Sequence, residues 1–267
     1  MMREISSPSN PLIKYLVRLR DNSFRKSEGL VLVEGFREIS LAIKYGYELR
    51  GFYFGPEHQG TVLQQILRQI KEEHLAIQVS QECMDKIAMR ESQGACLAIF
   101  AAKAMADQPS PPKGENCTVL VISGVEKPGN IGAMLRTAHG LGVDQVLLSG
   151  CSPDLYNPNL IRASLGAVFT QDLFVFANDQ TTIDYLQKAA ISSYALMLSD
   201  TAKNLFTTKL PKRIALVVGS EAFGLDSHIW GDFPQVQIPM RGATDSLNVS
   251  SSAAIALAWA IHGSRFR

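Results

Sequence analysis

Along the first hundred residues, short apolar runs alternate with stretches in which apolar side chains recur every three or four positions. The runs LVLVEG (30–35), ELRGFYFG (48–55), LAIQVS (75–80) and GACLAIFAA (94–102) predict strands, and FREISLAIKYG (36–46) and TVLQQILRQIKEEH (61–74) predict helices between them. At the front, SNPLIKYLVRLRD predicts a helix entered at Asn10, whose amide accepts from a free backbone N–H. Pro11 then falls at the first helical position, where its missing N–H removes no bond, and Lys14 and Arg18 stand one turn apart. The pattern describes a small α/β domain.

The pattern breaks at AKAMADQPSPPKGEN (102–116), where prolines, a glycine and small polar residues separate two apolar stretches. This divides the chain into a domain over 1–104, a linker over 105–116 and a second domain over 117–267. In the second part, TVLVISGV, QVLLSG, SYALMLS, RIALVVGS and PQVQIPM carry few alternating polar positions, as expected of parallel strands covered on both faces. Helical stretches alternate with them, so the second domain is also α/β, with ligands expected at the carboxyl ends of the strands.

Composition removes several function classes. The 267 residues are 46% hydrophobic and 19% charged with a formal net charge of +1, enough apolar content for a sizeable core and too little charge for a nucleic-acid binder driven by net charge alone. A local basic group does stand out near the front: Lys14, Arg18, Arg20, Arg25 and Lys26. Either it is a solvated helix face or it meets the phosphates of a nucleic acid. The four cysteines form no CxxC pair and the five histidines are scattered, so no metal site and no disulfide framework is expected. The first residues lack a secretory apolar core, and no apolar run approaches the roughly 20 residues that span a bilayer. A cytoplasmic protein without membrane attachment is expected.

Chemistry concentrates in three loops after predicted strands. EKPGNIGAMLRTAHGLG (126–142) opens a helix near Asn130 and Gly132, with Arg136 about one and a half turns in; its GNIG lacks the GxGxxG spacing of a dinucleotide site, which argues against a nucleotide-dependent oxidoreductase. GSEAFGL (219–225) puts Gly219 where a ligand could approach the backbone closely, and Glu221 where it could accept from an arginine or amide or cap a turn. RGATDSLNVSSSAAIALAWAI (241–261) puts Ser246 and Asn248 at the start of a helix of small and apolar residues, positions that suit N-capping and close packing.

Together, GNIGAMLRTA, VVGSEAFGL and IPMRGATDSLNVSSSAAIAL, in this order, resemble the three motifs of the SpoU (TrmH-like) RNA ribose 2′-O-methyltransferases of the SPOUT superfamily. LVLVEGFREI and the stretch around Ser92, Gln93 and Gly94 resemble the L30e-like substrate-binding domain of many members, although a histidine is common where this chain has Ser92. The resemblance implies a parallel sheet whose last segments thread a deep trefoil knot, and a homodimer whose active site is completed across the interface. It implies transfer of a methyl group from S-adenosyl-L-methionine to a ribose 2′-hydroxyl of structured RNA, ribosomal RNA above tRNA, with no metal.

By the same resemblance, Asn130, Arg136, Glu221, Ser246 and Asn248 are the catalytic candidates. Leu198, Gly219, Ile238, Met240 and Leu247 match positions lining the adenosine pocket. A guanidinium is a poor base, so Arg136 is read as a clamp on a phosphate and on the developing alkoxide. Three rival readings are an RNA-binding ribosome-assembly factor without catalysis, a tRNA ribose methyltransferase, and a SPOUT enzyme acting on a base nitrogen.

Overall fold

Asn10 accepts from the Leu12 N–H at 2.9 Å and Pro11 opens the helix, so the first helix begins where its sequence predicts. The computed structural model describes residues 3–56, 60–89, 96–103, 109–151 and 153–263, so Ser92, Gln93 and Gly94 and part of the expected linker lie outside the described residues. The chain divides into two compact units, one of Met1–Ala104 with Tyr156–Thr170, the other of Met105–Leu155 with Gln171–Arg267.

The first unit runs β1 (Arg3–Ile5), α1 (Pro11–Arg18), α2 (Asn22–Ser27), β2 (Leu30–Glu34), α3 (Phe36–Lys44), β3 (Leu49–Phe54), α4 (Thr61–Gln69), β4 (Ala76–Val79), α5 (Gln81–Ile87) and β5 (Cys96–Ala101). Its sheet has the order β1-β4-β3-β5-β2, parallel from β1 to β3 and antiparallel at β5. Ile13 and Leu16 of α1 pack with Cys83, Met84 and Ile87 of α5 and with Tyr53, Leu97 and Ile99 of the sheet. The helix expected over 61–74 stops at Gln69: Ile70, buried, turns extended, and a separate 3₁₀ turn covers Glu73–Leu75.

From Cys117 on, the chain runs β6 (Cys117–Ser123), α6 (Pro128–Leu141), β7 (Gln145–Ser149), α7 (Pro158–Ala163), β8 (Leu173–Phe176), α8 (Asp179–Lys188), β9 (Ser192–Leu196), β10 (Lys203–Asn204), β11 (Arg213–Val218), α9 (Ser227–Trp230), β12 (Gln235–Gln237) and α10 (Val249–His262), all but α7 in the second unit. The second unit's seven strands are all parallel in the order β10-β12-β9-β11-β6-β7-β8. Every residue of β7 and five of the six in β11 are buried, which is why these strands read as unbroken apolar runs.

One segment departs from the expected division. Tyr156–Thr170, α7 included, lies between two strands of the second sheet in sequence but packs with the first unit. Leu165 and Gly166 take positive φ values of 51° and 80°, and a Cβ at Gly166 would lie 3.0 Å from Leu41 Cδ1 and 3.2 Å from Glu38 Cα of α3. That close approach needs glycine.

The basic group of the first unit separates into different roles. Lys14, Arg18 and Lys26 are exposed, with the Arg18 guanidinium 4.0 Å from the centre of the Phe24 ring. Arg20, also exposed, donates to the Lys86 and Ala88 carbonyls. Arg25, expected among the RNA contacts, is 2% exposed and donates to the carbonyls of Leu19 at 2.9 Å and Arg20 at 3.2 Å, so it is corrected to a structural residue holding the turn into α2.

Candidate active site and cofactor pocket

Four neighbouring parallel strands, β12, β9, β11 and β6, release their chains on one side of the second sheet, and the loops that follow surround a cavity of about 610 Å³. All five residues expected to hold the cofactor line it: Leu198 after β9, Gly219 after β11, and Ile238, Met240 and Leu247 after β12. Ser199 and Gln235 are hydrogen-bonded, which ties the loop carrying Leu198 to β12. Of the catalytic candidates, Asn130, Glu221, Ser246 and Asn248 line the same cavity.

Three of these form one hydrogen-bonded chain. Asn248 caps α10, its Oδ1 accepting from the Ser250 N–H at 2.8 Å and the Ser250 hydroxyl at 2.6 Å. Because that oxygen is engaged, the Asn248 amide nitrogen faces Asn130 and donates to its Oδ1 at 3.3 Å. The Asn130 amide nitrogen in turn donates to Glu221 Oε1. A backbone N–H at the start of α10 thus sets the sense of every bond in the chain and leaves Glu221, acceptor-only when ionised, at its end. The loops after β6, β11 and β12 are coupled through side chains that face the cavity.

The loop after β11 is held tightly. Ser220 N donates to Gly224 O at 3.1 Å, Gly224 N returns a bond to Ser220 O at 2.9 Å, and Phe223 N donates to Ser220 Oγ at 3.2 Å, with Gly224 at φ +68°. A Cβ on Gly219 would lie 2.2 Å from the Gly224 carbonyl carbon and 2.4 Å from Leu225 N. The close approach that Gly219 permits is therefore to its own loop, in addition to its place on the cavity wall. Beneath the loop, Leu225 and Trp230 are buried. The Trp230 indole N–H donates at 2.9 Å to Asp179, a buried carboxylate that also accepts from the hydroxyls of Ser123, at the end of β6, and Ser149, at the end of β7. This network pins α9, and the loop before it, to the strand ends.

Arg136 is placed differently. It is six residues beyond Asn130 on α6, which turns it about 120° around the helix and carries it about 9 Å along the axis. It is exposed and does not line the cavity. The face of α6 that packs inward belongs to Ile131, Met134, Leu135 and Ala138.

Lys127, Met197 and Phe223 also line the cavity and were not among the expected residues. Phe223 lies within VVGSEAFGL and Met197 directly precedes Leu198, so reading whole loops rather than single members would have found them. Lys127 immediately precedes Pro128, the first residue of α6, and nothing in a one-dimensional reading separates it from a surface lysine.

The cavity suits a nucleoside. Val218, Val236, Ile238 and Leu247 offer apolar contact to a flat ring, the strand ends offer backbone donors and acceptors, and the polar chain stands at one side. Among the described residues no cluster of three or more potential metal ligands occurs, and no helix is long and apolar enough to cross a membrane.

Comparison with known proteins agrees with this reading. Residues 118–258 match the SpoU rRNA Methylase family and residues 10–98 match the MRM3-like substrate binding domain. A crystal structure of an RNA 2′-O ribose methyltransferase superposes with a TM-score of 0.86 at 32% identity, covering 99% of this chain and 100% of that one. The SpoU methyltransferase AviRb from Streptomyces viridochromogenes, solved in complex with AdoMet, shares the fold with a TM-score of 0.82 at 24% identity, over 97% and 100% of the two chains. The 23S rRNA (uridine(2479)-2′-O)-methyltransferase of Streptomyces viridochromogenes is 26% identical over 94% of this chain and 89% of its own length.

A seven-stranded parallel sheet with three motif loops closing on one pocket is the catalytic unit of a SPOUT methyltransferase. The chain belongs to the SpoU rRNA methylase family. Its first unit carries an MRM3-like substrate-binding domain.

Proposed function

We propose that this protein methylates a ribose 2′-hydroxyl of ribosomal RNA, acting in the cytoplasm as a homodimer in which Arg136 serves the cavity of the second copy. The observation that carries the reading is the chain Glu221–Asn130–Asn248 on the wall of a pocket fit for S-adenosyl-L-methionine. The cofactor supplies a methyl group on a positively charged sulfur. Asn130 and Asn248, fixed by Glu221 and by the cap of α10, hold the ribose so that its 2′-oxygen lies in line with that methyl, and Ser246 meets the same nucleotide. The Arg136 guanidinium clamps a phosphate and lowers the energy of the alkoxide that develops as the hydroxyl loses its proton to water or to another group, while the cofactor would leave as the neutral thioether.

Two features support the dimer. Arg136 stands outside the cavity of its own chain. In addition, α10 buries Ala253, Ala256 and Leu257 against its own unit while Ile255, Ala258, Trp259 and Ile261 stay half-exposed, an apolar face suited to a second copy. The same reading carries the threading of the C-terminal loops into a trefoil knot and the contact of Lys14, Arg18 and Lys26 with RNA phosphates.

The test is methylation of an unmodified 23S rRNA transcript of the source organism with labelled cofactor, followed by alkaline digestion. A blocked 2′-oxygen leaves the label in an alkali-resistant dinucleotide. Label in mononucleotides alone refutes ribose chemistry, and no label refutes the substrate. Mixing Arg136→Ala with Asn130→Ala protein should restore about a quarter of wild-type turnover, because half of randomly formed dimers keep one intact site; no recovery rejects the shared site.

A further inference from the structure

Phe223 is 93% exposed, on a loop whose backbone is otherwise tightly fixed. It lines the cofactor cavity on one side, and on the other it lines a second, more open cavity of about 460 Å³ at the carboxyl ends of β6 and β7. The second cavity is edged by the backbone of Gly124 and Gly150 and by the side chains of Asp226 and Ser227. One Asp226 oxygen accepts from the His228 N–H at 2.9 Å, and the Asp179 carboxylate at the cavity floor is engaged by Ser123, Ser149 and Trp230. Among the polar groups this cavity offers a ligand are the second Asp226 oxygen and the Ser227 hydroxyl, beside the exposed Phe223 ring.

We propose that Phe223 is the stacking platform for the base of the nucleotide being methylated, and that the second cavity receives that base. This rests on the ribose-methylation reading above. Phe223 lies two residues from Glu221, so their Cα atoms are at most about 7 Å apart; Glu221 accepts from Asn130, and the base of a ribose held at Asn130 and Asn248 hangs one carbon from the reacting 2′-position. Enzymes that read folded RNA engage splayed bases by stacking them on aromatic rings and hydrogen-bonding their edges. Here the backbone that carries the ring is fixed by the Ser220–Gly224 bridge and the buried Leu225, so the loop loses little order when a base arrives. A second copy of the chain is the less suitable occupant. The residues flanking the ring, Glu221, Ala222, Gly224 and Asp226, form no apolar patch, and the extended apolar face of this unit is on α10.

The test compares Phe223→Ala, Phe223→Leu and Phe223→Trp with wild type on the unmodified 23S rRNA transcript, measuring KM and kcat, cofactor affinity by calorimetry and molar mass by sedimentation. Stacking predicts that Ala and Leu raise the KM for RNA by roughly five- to a hundred-fold, that Trp stays near wild type, that molar mass does not move, and that any change in cofactor affinity is smaller than the change in KM for RNA, because Phe223 also edges the cofactor cavity. Leu matching Phe would show apolar contact without stacking, and a fall in molar mass for Ala would assign the ring to a protein interface. Unchanged KM in Ala would remove the ring from the site, and each of these results overturns the proposal. Wild-type protein that leaves the transcript unmethylated defeats the ribose-methylation reading itself, a result separate from the behaviour of the variants.

Discussion

Replacing Gly219 by alanine adds one methyl group at the point where the loop after β11 folds back on its strand. The added carbon would meet the Gly224 carbonyl carbon at 2.2 Å, its oxygen at 2.3 Å and Leu225 N at 2.4 Å, all backbone atoms that no rotamer change moves aside. Ordinary carbon contacts begin near 3.5 Å, so the turn must retreat by about 1 Å. Two consequences can be sized. Overpacking of this kind costs about 1–3 kcal/mol of folding stability. A displacement of about 1 Å in a positioning group costs about a hundred-fold in rate, and Glu221, which moves with the turn, is the end of the polar chain. Urea unfolding, cofactor titration and single-turnover methylation measure these separately. Gly140→Ala, in the last turn of α6 with nothing within 4 Å of the added carbon, is the control and should lose neither stability nor turnover. If Gly219→Ala kept wild-type stability, cofactor affinity and turnover, the loop would not be closed as described, and the role given to it would fall.

Asn130→Asp replaces the amide that donates to Glu221 by a second acceptor, so the polar chain breaks and single-turnover methylation should slow while cofactor binding persists; unchanged turnover would contradict the contact. Arg25→Ala should cost about 2–4 kcal/mol in denaturant unfolding with the salt dependence of RNA binding unchanged. Lys14→Ala and Lys26→Ala should each flatten that salt dependence by about one unit of slope while leaving stability alone. Burial pushes the Cys96 thiol up to about 12 and the Cys117 thiol up to about 11, so in the folded protein both should resist iodoacetamide at pH 8 by mass spectrometry; rapid labelling of either would show that its strand opens.

The strands of the second unit were legible because both faces are covered: TVLVISGV and RIALVVGS admit almost no polar residue, and they became β6 and β11. β8 was missed for the opposite reason. LFVF is four residues long and half-exposed at the sheet edge, with neither length nor alternation to mark it. β1, three residues beside β4, is formed by pairing and not by its own pattern. The pocket residues could be named from the three motifs, yet the direction of the bonds among Asn248, Asn130 and Glu221 depends on an N-cap in three dimensions. Arg25 and Lys26 look alike in a basic run; the structure separates them because one faces the carbonyls at the end of α1 and the other faces water. The packing of Tyr156–Thr170 with the first unit was invisible because apolar residues such as Leu160 and Phe169 show that a segment is buried, not which core buries it.

That segment also bears on how such chains are recombined. The two units are joined by three passages of the backbone instead of one, since the chain leaves the first unit after Ala104, returns at Tyr156 and departs again after Thr170. A chimera made with a single junction in the proline-rich stretch would import a foreign α7 into a core shaped for another sequence, and a fragment starting at Cys117 would carry Leu160, Ile161, Val168 and Phe169 without the surface that buries them. Exchange of substrate-binding domains between relatives therefore calls for two coordinated replacements, and a lineage that diversified by swapping this domain would have had to move both pieces.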